Sequence, residues 1–196
     1  KVNRINVKRL QRNHLLQKTA QILNENQITH CFFKTLNKLS HVGVDIDLII
    51  HPTDYEDCIE AFQENGLYPI DNLSKKYATG FMDKGNPIII DLHTDLAILG
   101  VRYISPILLL NNRKEIKLTT DGNQSTLHVV DEPVDAFVRM VHCVLKEASI
   151  RIDDIAEVYP YLIIDPKVSG YIDGEKKSLV ASIFAQTSLN YLGDDR

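Results

Sequence analysis

The clearest hydrophobic-polar alternation in the chain is VDIDLIIH at residues 44–51. It sends Asp45 and Asp47 to one face of a predicted strand and Val44, Ile46 and Leu48 to the other. Upstream, Val7, Leu10, Leu15, Ala20, Ile22 and Leu23 recur at helical spacing and predict an amphipathic helix over 7–25. HCFFKTL at 30–36 is short, aromatic and apolar, which predicts a buried strand. After the acidic strand, Thr53 with Glu56 three residues on reads as a capping box. The helix it opens buries Tyr55, Ile59 and Phe62 and ends at Asn65-Gly66. Further strands are predicted at 67–70, 75–82 and 87–94. Ser105-Pro106 opens a short helix through Leu110, and KEIKLTT and STLHVV form a hairpin across DGNQ. Beyond Asp131 the texture turns helical, over 132–147, about 151–163 and about 175–192. The expectation is an α/β (α+β) chain: a mixed sheet of about five strands with flanking helices in residues 1–130, then a small helical lobe in 131–196.

Composition narrows the classes. With 196 residues, 44% of them hydrophobic and 24% charged, the chain has the apolar material for a real core. No apolar run reaches the roughly 18 residues that a membrane helix needs. The basic start is not followed by an apolar segment, so no secretory signal is expected. Cys31, Cys58 and Cys143 fall in no paired motif, which argues against a structural zinc site and fits free thiols in a reducing cytoplasm. The net charge of −4 counts against non-specific nucleic-acid binding. Dinucleotide, P-loop, serine-hydrolase and zincin motifs do not occur.

Two aspartates inside an aliphatic strand call for an explanation, because like charges on a half-buried sheet repel unless a cation compensates them. Asp91 repeats the situation between Ile88-Ile89-Ile90 and Leu92. If strand 87–94 lies beside 44–51, Asp45, Asp47 and Asp91 converge into an all-oxygen site suited to Mg²⁺ or Mn²⁺. Carboxylate-held magnesium shared with substrate phosphates supports in-line attack on phosphorus. The bland alternative is three strand aspartates without a joint role.

The run FFKTLNKLSHVGVDIDLIIHPTDYEDCIEAFQENGLYP, followed by IIIDLHTDL, resembles the nucleotidyltransferase superfamily that includes polymerase β. It is most similar to a group of small nucleotidyltransferases with an LKG-type strand end, a DIDLL strand and a later vDLH strand. Agreement covers about residues 30–96 and continues more weakly through LHVVDEPVDAFVRMVHCVLK. The resemblance implies a mixed sheet with flanking helices, an NTP co-substrate, Asp45 and Asp47 as the first metal ligands and Asp91 as the third carboxylate. Where the superfamily has Gly-Ser or Gly-Gly ahead of the first Asp, this chain has Lys34-Thr35. Lys34, Thr35, Lys38 and Ser40 are therefore the candidate phosphate contacts, with Lys34 acting as a point charge.

Two weaker signals have double readings. His93 shares a face with Asp91, either to orient it and touch substrate or as an ordinary hydrogen-bonded histidine. Arg139, His142 and Lys146 form a basic stripe on the predicted helix 132–147, facing either the cleft or solvent with an Asp135–Arg139 pair. The expected activity is metal-dependent transfer of an NMP unit from an NTP to an acceptor hydroxyl on a small molecule, a protein or an RNA end. The alternative is a catalytically inactive relative that serves as a binding or regulatory module.

Overall fold

Strand β1 (His30–Phe33) follows helix α1 (Val2–Glu25), and β2 (Asp45–Ile50) runs back antiparallel to it, pairing His30 with Ile50 and Phe33 with Asp47. A turn at Pro52–Asp54 leads into α2 (Tyr55–Glu64), which is followed by β3 (Leu67–Pro69), β4 (Ala78–Asp83) and β5 (Ile89–His93). A small hairpin, β6 (Leu96–Ile98) with β7 (Val101–Ile104), precedes α3 (Pro106–Asn111). The long hairpin β8 (Arg113–Thr120) and β9 (Asn123–Val130) then leads to α4 (Glu132–His142), continued by a π-helical turn at Cys143–Glu147. This computed structural model describes residues 2–34, 44–71, 77–98, 101–147, 149–150, 154–156, 158 and 161. Thr35, Lys38, Ser40 and the helix expected at 175–192 lie outside the described residues, and the helix expected at 151–163 is described only in part.

The main sheet has seven strands in the order β3-β4-β5-β2-β1-β9-β8. It exceeds the expected five because β9 pairs with β1 through Phe32 and Val129, which adds the hairpin to the same sheet. Two neighbouring pairs are parallel, β2 with β5 and β1 with β9, and the others are antiparallel. The sheet is thus mixed, as the alternating strand and helix patterns predict.

Period-2 alternation gives the sheet two distinct faces, each covered by helices. On one, Phe32, Ile46, Leu48, Ile90 and Leu92 pack against Leu15, Leu16 and Leu23 of α1 and Phe62 of α2. On the other, Cys31, Phe33 and Ile49 pack against Leu109 of α3 and Val134, Phe137, Val138 and Val141 of α4. By the same alternation the two acidic residues of β2 belong to this second face, Asp47 buried and Asp45 exposed at the start of the strand.

Local chemistry departs from the sequence reading in places. His51, not Thr53, caps the first turn, its Nδ1 accepting from the Thr53 N–H at 3.4 Å. The Asp54 carboxylate at the start of α2 accepts from the Thr29 N–H instead of capping its own helix. Pro52 sets the short turn, and the demand of the Thr29 amide draws Asp54 away. Asn65-Gly66 does end α2, with Gly66 at φ 75. The β8–β9 turn is tighter than expected: Asp121 and Gly122 alone make it, with φ 51 and 83, a two-residue type I′ turn.

Candidate active site

The parallel register of β2 and β5 places Asp47 abreast of Asp91, and Ile49 abreast of His93. Asp47, Asp91 and His93 each offer one ligand atom, and these atoms all lie within 4.8 Å of one another. His93 Nε2 is 3.3 Å from Asp91 Oδ2 and 3.6 Å from Asp47 Oδ1. That nitrogen is buried and makes no hydrogen bond of proper geometry with either oxygen. A buried nitrogen aimed between two carboxylates, at ion-pair distance from both but without a well-formed hydrogen bond to either, fits a ligand set for a divalent cation. The set carries one imidazole with two carboxylates, whereas the sequence suggests oxygen donors alone. Asp45 shares the face two positions up the strand, is exposed, and stands outside this group of three. On the other side of β5, the register partner of Asp91 is Gly80 of β4, so no side chain crowds the carboxylate from that strand.

Lys34 closes the site from the end of β1. Its Nζ lies 3.1 Å from Asp47 Oδ1, with both side chains largely buried. Its backbone has φ 51, a left-handed conformation that costs a residue with a Cβ about 1 to 2 kcal/mol. Glycine adopts that conformation freely, and this chain has a lysine there instead. The chain holds the strained turn by donating the Lys34 N–H to Asp135 Oδ1 of α4 at 2.6 Å. Asp135 is in turn held by Arg139, whose Nε donates to Oδ2 at 3.0 Å.

Helix α4 and the small hairpin supply the walls. His142 Nε2 is 3.4 Å from Lys34 Nζ and 3.3 Å from Glu147 Oε1, and its Nδ1 is 3.4 Å from the Tyr103 hydroxyl of β7. The Phe33 ring packs edge-on to His93 with centroids 5.5 Å apart, and Lys34 Nζ lies 5.4 Å from the same ring's centroid. Arg139 and His142 of the predicted basic stripe are thus buried at the site, not solvated, while the Asp135–Arg139 pair also forms.

The electrostatics follow from this crowding. Burial alone would raise the Asp47 pKa, but the Lys34 ammonium and the His93 imidazole outweigh it and hold the group below the usual carboxylate range. Asp91 is likewise lowered: burial opposes ionisation, and His93, with help from Lys146, prevails. Asp45 is raised by burial and by repulsion from Asp47. For His93, burial favours the neutral ring, yet the two carboxylates overcome it and raise the pKa. His142 moves the other way, down to about 3, because burial, Lys34 and Lys146 all disfavour its cation. Burial and the nearby acids Asp47, Asp91 and Asp95 raise Tyr103, which keeps its phenol protonated. Arg12 of α1 is also within electrostatic reach of Asp45 and Asp47.

Of the sequence candidates, the structure brings together Asp47, Asp91 and Lys34, and sets Asp45 beside them on the same face. It adds Tyr103, Asp135 and Arg12, which sequence reasoning did not place at the site. Asp135 alone had a signal, its spacing of four from Arg139. Among the described residues, no helix is long and apolar enough to cross a membrane.

No protein-family model and no curated protein matches the chain. Solved structures do match. The solution structure of the antibiotic-resistance factor ANT(2'')-Ia aligns at 10% identity over 94% of this chain and 97% of that one, with a TM-score of 0.52. The crystal structure of ANT(2'')-Ia in complex with adenylyl-2''-tobramycin aligns at 9% identity over 89% and 97%, again with a TM-score of 0.52. An antigenic nucleotidyltransferase-like protein from Paracoccidioides brasiliensis aligns at 13% identity over 94% and 89%, with a TM-score of 0.54. At these identities the likeness speaks for the fold alone: the mixed α/β fold of this chain is shared with ANT(2'')-Ia and with the nucleotidyltransferase-like protein.

Proposed function

We propose that this chain is a metal-dependent nucleotidyltransferase that moves an NMP unit from an NTP to an acceptor hydroxyl. The observation that carries the reading is the pair Asp47 and Asp91, abreast on parallel strands with the unsatisfied Nε2 of His93 between them. Likeness of fold to nucleotidyltransferase structures supports it. Asp45 and Asp47 hold the Mg²⁺ or Mn²⁺ ion in this reading, with Asp91 and His93 completing the donor set. Such an ion, when bound, neutralises the phosphate charge and polarises the reacting oxygens.

In the reaction, the acceptor oxygen bonds to the α-phosphorus while the bond to the pyrophosphate oxygen breaks, and pyrophosphate leaves. Asp91, the more open of the two paired carboxylates, takes the hydroxyl proton. Lys34, Thr35, Lys38 and Ser40 are assigned to the triphosphate, side chains replacing the backbone donors of a glycine turn. The adenylylated tobramycin of ANT(2'')-Ia makes small hydroxylated molecules the first acceptors to examine. A protein side chain or an RNA end is examined next.

One observation favours a second reading, a catalytically inactive binding module: the Lys34 ammonium already sits on Asp47 at 3.1 Å, in the position of a counter-cation. Calorimetric titration of each NTP with Mg²⁺ or Mn²⁺, followed by radiolabel transfer to a lysate, separates the two. Nucleotide binding with labelling of an acceptor supports the enzyme. A protein that neither binds NTP with metal nor labels anything is the module.

A further inference from the structure

We infer that Lys34 is the resident counter-ion of this site: its ammonium neutralises Asp47 in the metal-free protein, and a divalent cation binds Asp47 only by displacing it. The inference rests on the proposed metal-dependent reading and says how this chain, unlike one with glycine at the turn, regulates its own site.

Four observations support it. First, Lys34 Nζ is 3.1 Å from Asp47 Oδ1, and the two side chains are only 14% and 10% exposed, so this is a desolvated pair and not a surface contact. A cation bound to the same oxygen would sit against the ammonium, and like charges so close in a dry site exclude one another. Second, the lysine is placed there by construction. Its strained φ of 51 is fixed by Asp135, which Arg139 fixes in turn, so the stem starts from one position. Third, a divalent ion has a donor set at hand that does not need Lys34, namely Asp47, Asp91 and His93. Fourth, the displaced ammonium has somewhere to go. His142 Nε2 is 3.4 Å from Nζ, and Glu147 Oε1 is 3.3 Å from that nitrogen, which offers two acceptors other than the Asp47 carboxylate. Lys34 at that second station faces out of the metal set, free to meet a phosphate.

The same lysine therefore opposes metal and favours nucleotide. The test is titration of the full chain with Mn²⁺ alone, by calorimetry and by the electron-spin signal of free Mn²⁺, together with melting temperatures with and without the ion. Lys34→Met removes the charge at similar length, Lys34→Gln is a second neutral variant should the first fold poorly, and Lys34→Arg keeps the charge. The neutral variants are expected to bind Mn²⁺ roughly ten- to a hundred-fold more tightly than the unmutated protein. Without metal they should melt lower, with a larger rise on adding Mn²⁺. Lys34→Arg should bind Mn²⁺ as weakly as the unmutated chain. Adding Asp47→Asn to Lys34→Met should abolish the gain. Equal or weaker Mn²⁺ binding by both neutral variants, with the unmutated protein binding the ion, overturns this inference and leaves the metal-dependent reading standing. No binding by any variant overturns both.

Discussion

The main-chain N–H of Lys34 donates to the carboxylate of Asp135 at 2.6 Å, a bond that ties the end of β1 to a helix 101 positions further along. One carboxylate thereby holds a strained turn, a buried arginine and the lysine that faces Asp47. Asp135→Asn, which keeps the shape but removes the charge, should cost about 2 kcal/mol of stability, the scale of hydrogen bonds to a charged group. Urea denaturation measures this. An unchanged midpoint would mean that the turn is held by something else.

Asp47→Asn keeps the side chain's shape but removes its charge from the cluster and leaves the Lys34 ammonium without its carboxylate partner, so the metal-free variant should melt lower while keeping its fold at low temperature. The expected outcome is loss of both nucleotidyl transfer and the rise in melting temperature with millimolar Mn²⁺. Circular dichroism at low temperature should match that of the unmutated protein. Retention of the Mn²⁺-dependent rise would place the ion elsewhere.

Lys34→Ala should act with opposite sign on two ligands. It relieves competition for Asp47, so Mn²⁺ alone binds more tightly. With metal saturating, the NTP loses a charge-assisted contact and binds more weakly, by about 1.5 to 3 kcal/mol. Two calorimetric titrations read both effects. A variant that strengthens both ligands, or weakens both, does not behave as a lysine shared between carboxylate and phosphate.

Buried histidines predict acid instability. His30, whose Nδ1 faces the Ile28 carbonyl at 2.8 Å, is pushed by burial down to about 4, and His142 to about 3. Both are neutral in the folded state and take up protons in the unfolded chain as pH falls through 6.5. Their stabilising effect is therefore complete above about pH 6.5 and declines toward pH 4 and below, His30 alone accounting for about 3 kcal/mol. Asp47, held low, adds to the loss only at more acid pH. The measurement is the melting temperature from pH 7 to pH 4, with His30→Phe expected to flatten the slope. A slope unchanged by that substitution would contradict the assignment.

Much of the site could be read from local alternation. VDIDLII and IIIDLH fix which face their aspartates take, and their likeness suffices to suggest that they lie side by side. His93 falls to the same face by the same rule, yet nothing in the sequence aims its Nε2 between the two carboxylates. What sequence could not supply depends on long-range packing. The left-handed backbone of Lys34 donates its N–H to Asp135, a residue 101 positions away, and Tyr103 reaches the site on a hairpin whose segment, LAILGVRYI, carries no pronounced turn dipeptide. The expectation of an all-oxygen donor set counted carboxylates alone. The capping box at Thr53 failed because the short turn at Pro52–Asp54 moves the helix start on to Tyr55 and engages the Thr53 hydroxyl with His51 and Asp54.

The pairing of Asp47 with Asp91 depends on parity. A single residue gained or lost inside β2 between Asp45 and Ile50, or inside β5 between Ile89 and His93, would turn one carboxylate to the opposite side of the sheet, under α1 and α2. An addition at the exposed Lys84-Gly85 turn, where Gly85 has φ 81, leaves both strands counting as before. Length variation in this protein is therefore permissible between the two acidic strands and forbidden within them. Two short stretches, Asp45–Ile50 and Ile89–His93, must be kept whole when the chain is spliced, permuted or grafted.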